Sequence, residues 1–120
     1  MLEGRKRRAG AGAGGVAALG RYADPAVLIL TSLAGGEKHG YALVKDVESF
    51  AGVSLGPGTL YGAIARLEQG GLIEALPAED RRHPYRITTA GTAALADHLA
   101  TVEHVARVAR VNLSLRGALA

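Results

Sequence analysis

Two clusters of residues have the types and spacing from which chemistry could be built. Thr59, Tyr61, Gly62 and Arg66 fall in one short stretch, and Arg81, Arg82 and Arg86 follow in a second. Guanidinium groups donate paired hydrogen bonds to phosphate oxygens or to the O6/N7 edge of guanine, and hydroxyls donate to phosphates. Gly62 and Ala65 are small enough to let a backbone approach a groove closely. Each residue also has a purely structural alternative. Thr59 could close a helix-start hydrogen bond, Tyr61 could wedge against the neighbouring hairpin, and Arg66 and Arg86 could pair with acids. The chemistry these groups share is anion and base-edge recognition, not bond-breaking.

Catalysis finds no such cluster. The chain has no cysteine, so a thiol nucleophile, a disulfide framework and a zinc–thiolate site are excluded. No serine has a histidine and a carboxylate placed to activate it. His98 and His104 point to different faces of a helix and do not form a metal pair within one chain, although a site shared across a dimer stays open. The Gly/Ala-rich start lacks the Lys-Ser/Thr ending of a phosphate-binding loop. The sequence argues against an enzyme and implies no cofactor.

The elements that must position the candidate residues are legible in order. Pro57 to Gly71 reads as a helix with a proline in its first turn and a double glycine, Gly70-Gly71, at its end. Leu60, Ile64 and Leu67 share one face, leaving Thr59, Gly62, Arg66 and Gln69 on the other. That shape suits a DNA major groove, and it also suits any surface helix. Ahead of it, Asp24-Pro25 starts an apolar helix over Ala26–Leu33 that stops at Gly35-Gly36. A second helix is expected from about His39 to Phe50. Its core face would be Tyr41, Val44, Val47 and Phe50, with Lys45, Asp46 and Glu48 solvated. His39 reads as a helix-start residue. Together these make a helix-turn-helix pattern.

After Gly71, Leu72–Leu76 and Tyr85–Thr88 read as the strands of a β-hairpin, with Arg81 and Arg82 near its polar tip. This hairpin is a wing placed to touch phosphates or the adjacent minor groove. Its alternative is a solvated turn neutralised by Glu79 and Asp80. One long helical pattern then runs from Thr88 or Thr89 to about Leu115. Leu95, Leu99, Val102, Ala106, Ala109 and Leu113 follow a heptad seam along it, widened by Val105 and Val108. A seam of that length exceeds what a small body can cover. It should pack on the same helix of a second chain, clasp the Ala26–Leu33 helix, or do both.

Charge is unevenly distributed. The chain of 120 residues has a formal net charge of +3. Residues 1–21 hold Arg5, Lys6, Arg7, Arg8 and Arg21 against Glu3 alone, so the remaining residues are close to neutral. Global charge is therefore weak support for nucleic-acid binding, and the case rests on local clusters. The expected organisation is a flexible basic tail over 1–21, a winged helix-turn-helix over 22–88 and a dimerisation helix over 89–120. The fold class is α+β, mostly α. Aromatics are only 4% of residues, so the core must be aliphatic. No apolar run is long enough to span a membrane, and the absence of cysteine fits a cytoplasmic protein.

The assembled motifs resemble the PadR family of bacterial transcriptional regulators. They are His39-Gly40-Tyr41, Pro57-Gly58-Thr59-Leu60-Tyr61, Arg66-Leu67-Glu68, Gly71-Leu72-Ile73 and Tyr85-Arg86-Ile87-Thr88, with Gly91 beyond. The resemblance covers roughly Ala26 to Leu99. It implies a dimeric winged-helix repressor that binds double-stranded DNA at a pseudo-palindromic operator and dimerises through its last helix. A single helix after the wing matches the shorter subfamily. Some short members sandwich flat aromatic drugs between tryptophans on that helix. This chain has no Trp and departs from the family there. A small apolar effector in the dimer interface is compatible with the seam, which offers no distinctive polar anchor. A winged-helix module that binds a protein through the same surface is the alternative from another class.

Overall fold

The computed structural model describes residues 24–119; the basic tail expected over residues 1–21 lies outside them. The described residues form helices α1 (Pro25–Ala34), α2 (Gly40–Ala51) and α3 (Pro57–Gln69), strands β1 (Ile73–Ala75) and β2 (Tyr85–Ile87), and helix α4 (Thr89–Leu119). This is a mostly helical winged helix-turn-helix with a two-stranded antiparallel sheet and a long last helix.

The helix starts follow local chemistry. Asp24 Oδ1 accepts the Ala26 N–H at 2.8 Å, and Pro25 occupies the first turn of α1, where an N–H has no intrahelical partner. Pro57 does the same for α3 behind Gly56. The core is aliphatic, as the composition requires. Ile29, Leu30 and Leu33 of α1 meet Leu43 and Val47 of α2 and Leu60, Ala63, Ile64 and Leu67 of α3, with Leu55, Ile73 and Leu95 closing the edges.

The α2 face differs from the expected one. Tyr41 is 70% exposed and Phe50 47%, while Gly40, Leu43 and Val47 are buried and Val44 is half-buried. Leu43 is four residues from Val47, so the pair defines a stripe rotated away from Tyr41. Packing selects that stripe because Gly40 lets α3 approach the helix start. Asp46, expected to be solvated, is half-buried and accepts the Ser32 hydroxyl at 2.6 Å. Lys38 Nζ donates to the Ser32 carbonyl at 2.6 Å and lies 3.9 Å from Asp46 Oδ2. This small polar network satisfies the buried Ser32 and fixes α1, the following turn and α2 to one another.

The strands pair in one register: Ile73 with Ile87, Glu74 with Arg86, and Ala75 with Tyr85. Lys38 adds a bridge at the sheet edge. Its N–H donates to the Tyr85 carbonyl at 3.2 Å and its carbonyl accepts the Tyr85 N–H at 2.9 Å. The hairpin is thus tied back to the start of α2.

Thr88 joins the hairpin to α4. Its hydroxyl accepts the Gly91 N–H at 3.0 Å and donates to the Gly71 carbonyl at 2.7 Å, capping α4 and docking it onto the end of α3. Gly91 is required by close approach: a Cβ there would stand 2.0 Å from the Leu72 carbonyl oxygen. Leu95 is buried against its own body. Beyond it α4 leaves the body, and Leu99, Val102, Val105, Val108, Val111, Leu113 and Leu115 are all at least 45% exposed.

Candidate nucleic-acid interface

The outward side of α3 carries the expected residues. Thr59 and Arg66 are exposed and Gly62 is half-buried, while Leu60, Ala63, Ile64 and Leu67 hold the opposite side in the core. Arg66 lies one turn beyond Gly62, and its Nη1 would be 3.8 Å from a Cβ built there. Its guanidinium therefore covers the space the missing side chain leaves. Gly56 N-caps α3 without a side-chain hydrogen bond, so the first N–H groups of the helix face solvent. These groups and the helix dipole favour an anion at that end.

Tyr61 occupies a junction. The residue is 54% exposed, yet its hydroxyl sits over Gly40, where a Cβ would be 2.8 Å away. On the hairpin side it is near Tyr85. Burial pushes the Tyr85 phenol pKa up, with Glu68 and Tyr61 adding to the shift. Tyr61 thus braces α3 against the start of α2 and keeps an open edge. The close contact is thus with the start of α2 rather than the expected wedge against the hairpin, and Tyr61 stays 54% exposed.

The wing tip is a tight two-residue turn. Glu79 and Arg82 exchange backbone hydrogen bonds of 2.8 Å in both directions. Between them Asp80 and Arg81 adopt positive φ, 48° and 70°, as in a type I′ turn. Neither residue is a glycine, so the turn holds Arg81 in a backbone region that costs about 1–2 kcal/mol for a side chain of this kind. Arg81 and Arg82 are both exposed. Arg82 Nη1 donates to His39 Nε2 at 3.3 Å, which links the wing tip to the start of α2. His39, Glu79, Asp80, Arg82 and Pro84 line an open concavity of about 440 Å³ between them.

The candidate cations are therefore not equivalent. Arg86 donates to Glu74, its cross-strand partner, and this pairing raises its pKa. Among the described residues no carboxylate forms an ion pair with Arg66, Arg81 or Arg82. These three keep their charge available to an anion. Tyr41, expected in the core, instead presents an exposed ring 5.7 Å from the ammonium of Lys45, which is solvated as expected. The only signal was the helical phase of Leu43.

Three helices packed so that the third turns a polar side outward, followed by a hairpin, define a winged helix-turn-helix protein. Residues 29–97 match the transcriptional regulator PadR-like family. The chain belongs to that family, whose members are transcriptional regulators.

Its relatives vary in length. The chain is 45% identical over 71 residues to an uncharacterised 37.1 kDa protein of a Streptomyces fradiae transposon, covering 59% of this chain and 21% of that one. It is 32% identical to the transcriptional activator GvpE2 of Halobacterium salinarum, covering 72% of this chain and 40% of that one. The transcriptional regulator Rv3488 of Mycobacterium tuberculosis is 40% identical over 82 residues, 66% of this chain and 76% of that one. The first two relatives are thus much longer than the region they share. Among solved structures, a PadR family transcriptional regulator from Eggerthella lenta superposes with a TM-score of 0.67 at 29% identity, covering 83% of this chain and 89% of that one.

Proposed function

We propose that this chain is a homodimeric regulator that binds double-stranded DNA at a pseudo-palindromic operator and represses its own or a neighbouring operon. Helix α3 enters the major groove with Thr59, Gly62 and Arg66 toward the bases. The tip arginines Arg81 and Arg82 contact phosphates or the adjacent minor groove, Tyr61 reaches a phosphate, and Arg86 mainly holds the hairpin through Glu74. The observation that carries this reading is the co-location of an outward polar face on α3 with wing-tip arginines that form no ion pair among the described residues.

The second copy pairs through the α4 seam of Leu99, Val102, Ala106, Ala109 and Leu113, while Leu95, the first residue of that seam, packs into its own body. Support for this is the exposed apolar side chains along α4. A small apolar effector lodged between the two helices would release the DNA by changing their separation. Repression follows from occlusion of a promoter by a bound dimer; the likeness to an archaeal activator makes the sign of regulation something to measure. No helix among the described residues is long and apolar enough to cross a membrane, in keeping with a protein that works on DNA in the cytoplasm.

Footprinting across the DNA upstream of the chain's own gene tests the reading. Two protected patches about one helical turn apart are expected. Lack of protection there and at neighbouring promoters overturns it. The near-neutral charge outside the tail favours one other reading, a winged-helix module that binds a protein; strong self-association without DNA affinity at low salt is its signature.

A further inference from the structure

Past Leu95, helix α4 carries an apolar edge that no other described part of the chain covers. Leu99, Val102 and Leu113 are 47%, 46% and 67% exposed. The heptad phase makes Leu99, Ala106 and Leu113 one core row and Leu95, Val102 and Ala109 the other. Two charged residues of opposite sign directly follow the second row: Glu103 after Val102, and Arg110 after Ala109. Both therefore occupy the same flank of the seam.

We infer that two copies pair along α4 in antiparallel orientation, in the register that sets Glu103 against the partner's Arg110. This rests on the dimer reading above and specifies its geometry. Reversing one helix brings the same flanks of the two seams together, so the flank holding Glu103 and Arg110 meets its own copy, and the two-fold axis makes the ion pair twice. The same register places Ala106 opposite the partner's Ala109 at the centre, where small side chains let the helices approach closely. Val102 then meets the partner's Leu113 on either side. A parallel pair brings opposite flanks together instead. That arrangement sets Arg110 against the partner's Val105 and leaves the arginine without a counter-charge.

The placement of the bodies agrees. Each body anchors its own α4 at Leu95, so a parallel pair would crowd both bodies at one end. In the antiparallel register the two Leu95 positions are roughly 38 Å apart along the helices at 1.5 Å per residue. That is close to the separation of half-sites one DNA turn apart, about 34–36 Å.

Sedimentation of the full chain and its charge variants tests the pairing. Glu103→Arg and Arg110→Glu each replace two attractive contacts by two repulsive ones and should weaken the dimer about tenfold. The double variant E103R/R110E restores opposite charges in both contacts and should recover wild-type dimerisation. An equimolar mixture of the two single variants should form a heterodimer in preference to either homodimer. A wild-type dimer whose affinity is unmoved by either single change overturns the register and leaves the dimer reading standing. A monomeric wild-type chain overturns both.

Discussion

The hydroxyl of Tyr61 rests over the α-carbon of Gly40, so close that a methyl group on that carbon would stand 2.8 Å from the oxygen. The contact joins the outward side of α3 to the first turn of α2. It makes the position of Tyr61 depend on a residue that itself carries no side chain. Fold and interface are coupled there, and the coupling can be tested from both ends.

Replacing Gly40 by Ala should displace the Tyr61 ring at little cost in stability. The clash is with the far end of a half-exposed side chain that can swing aside, and Gly40 does not sit at positive φ. Thermal unfolding of G40A should stay near wild type while operator affinity falls. Tyr61→Phe should weaken binding by a similar amount, about 1 kcal/mol for one lost hydrogen bond. Unchanged affinity in both variants would reduce Tyr61 to a wedge.

Gly91→Ala should behave in the opposite way. Its methyl would meet a backbone carbonyl oxygen at 2.0 Å and an Ile87 side-chain carbon at 2.8 Å, and a backbone group cannot swing aside. The cost should be about 3 kcal/mol or more, seen as a large fall in denaturant midpoint. A midpoint near wild type would mean that α4 does not dock as closely as described.

At the wing tip, stability and binding should separate. Arg81→Gly relieves a side chain held at φ 70° and should stabilise the fold by about 1 kcal/mol. The same change removes a charge that forms no ion pair among the described residues and should weaken DNA binding on every sequence. Chemical denaturation and duplex titration on one preparation check both signs. A variant that gained stability and kept full affinity would remove Arg81 from the interface.

Arg66 should act on specificity. Arg66→Ala is expected to cost about 1–3 kcal/mol on the operator and much less on an unrelated duplex, as for an arginine reading a base edge. Equal losses on both would make it a phosphate contact. Arg86→Ala should matter less for DNA than either, because its guanidinium is already engaged by Glu74.

Several of these relationships could be read from the chain and others could not, for physical reasons. Helix α3 was legible because Pro57 marks its start and Leu60, Ile64 and Leu67 repeat its period; two independent local signals agree. The hairpin strands alternate and were legible too. An aromatic at helical spacing usually belongs in a core, but Leu43 and Val47 fix the phase of α2 and turn Tyr41 outward. At the turn, Asp80 suits the first positive-φ position, but Arg81 stands where a glycine normally announces the second, so the local signature is only half present. Ser32 with Asp46, Arg82 with His39 and Lys38 with Tyr85 are partners across the fold. Such pairs appear only once packing has brought the elements together.

Joint DNA binding by α3 and the wing tip is tested most directly by salt-dependent affinity. The operator duplex should be titrated with the wild-type chain and with R81A/R82A across a range of salt concentrations. Wild type should bind the operator at least about a thousandfold more tightly than unrelated DNA. Losing two phosphate contacts should flatten the slope of log affinity against log salt by about 2. Identical slopes and affinities for the two proteins, or equal wild-type affinity for operator and unrelated DNA, would contradict it.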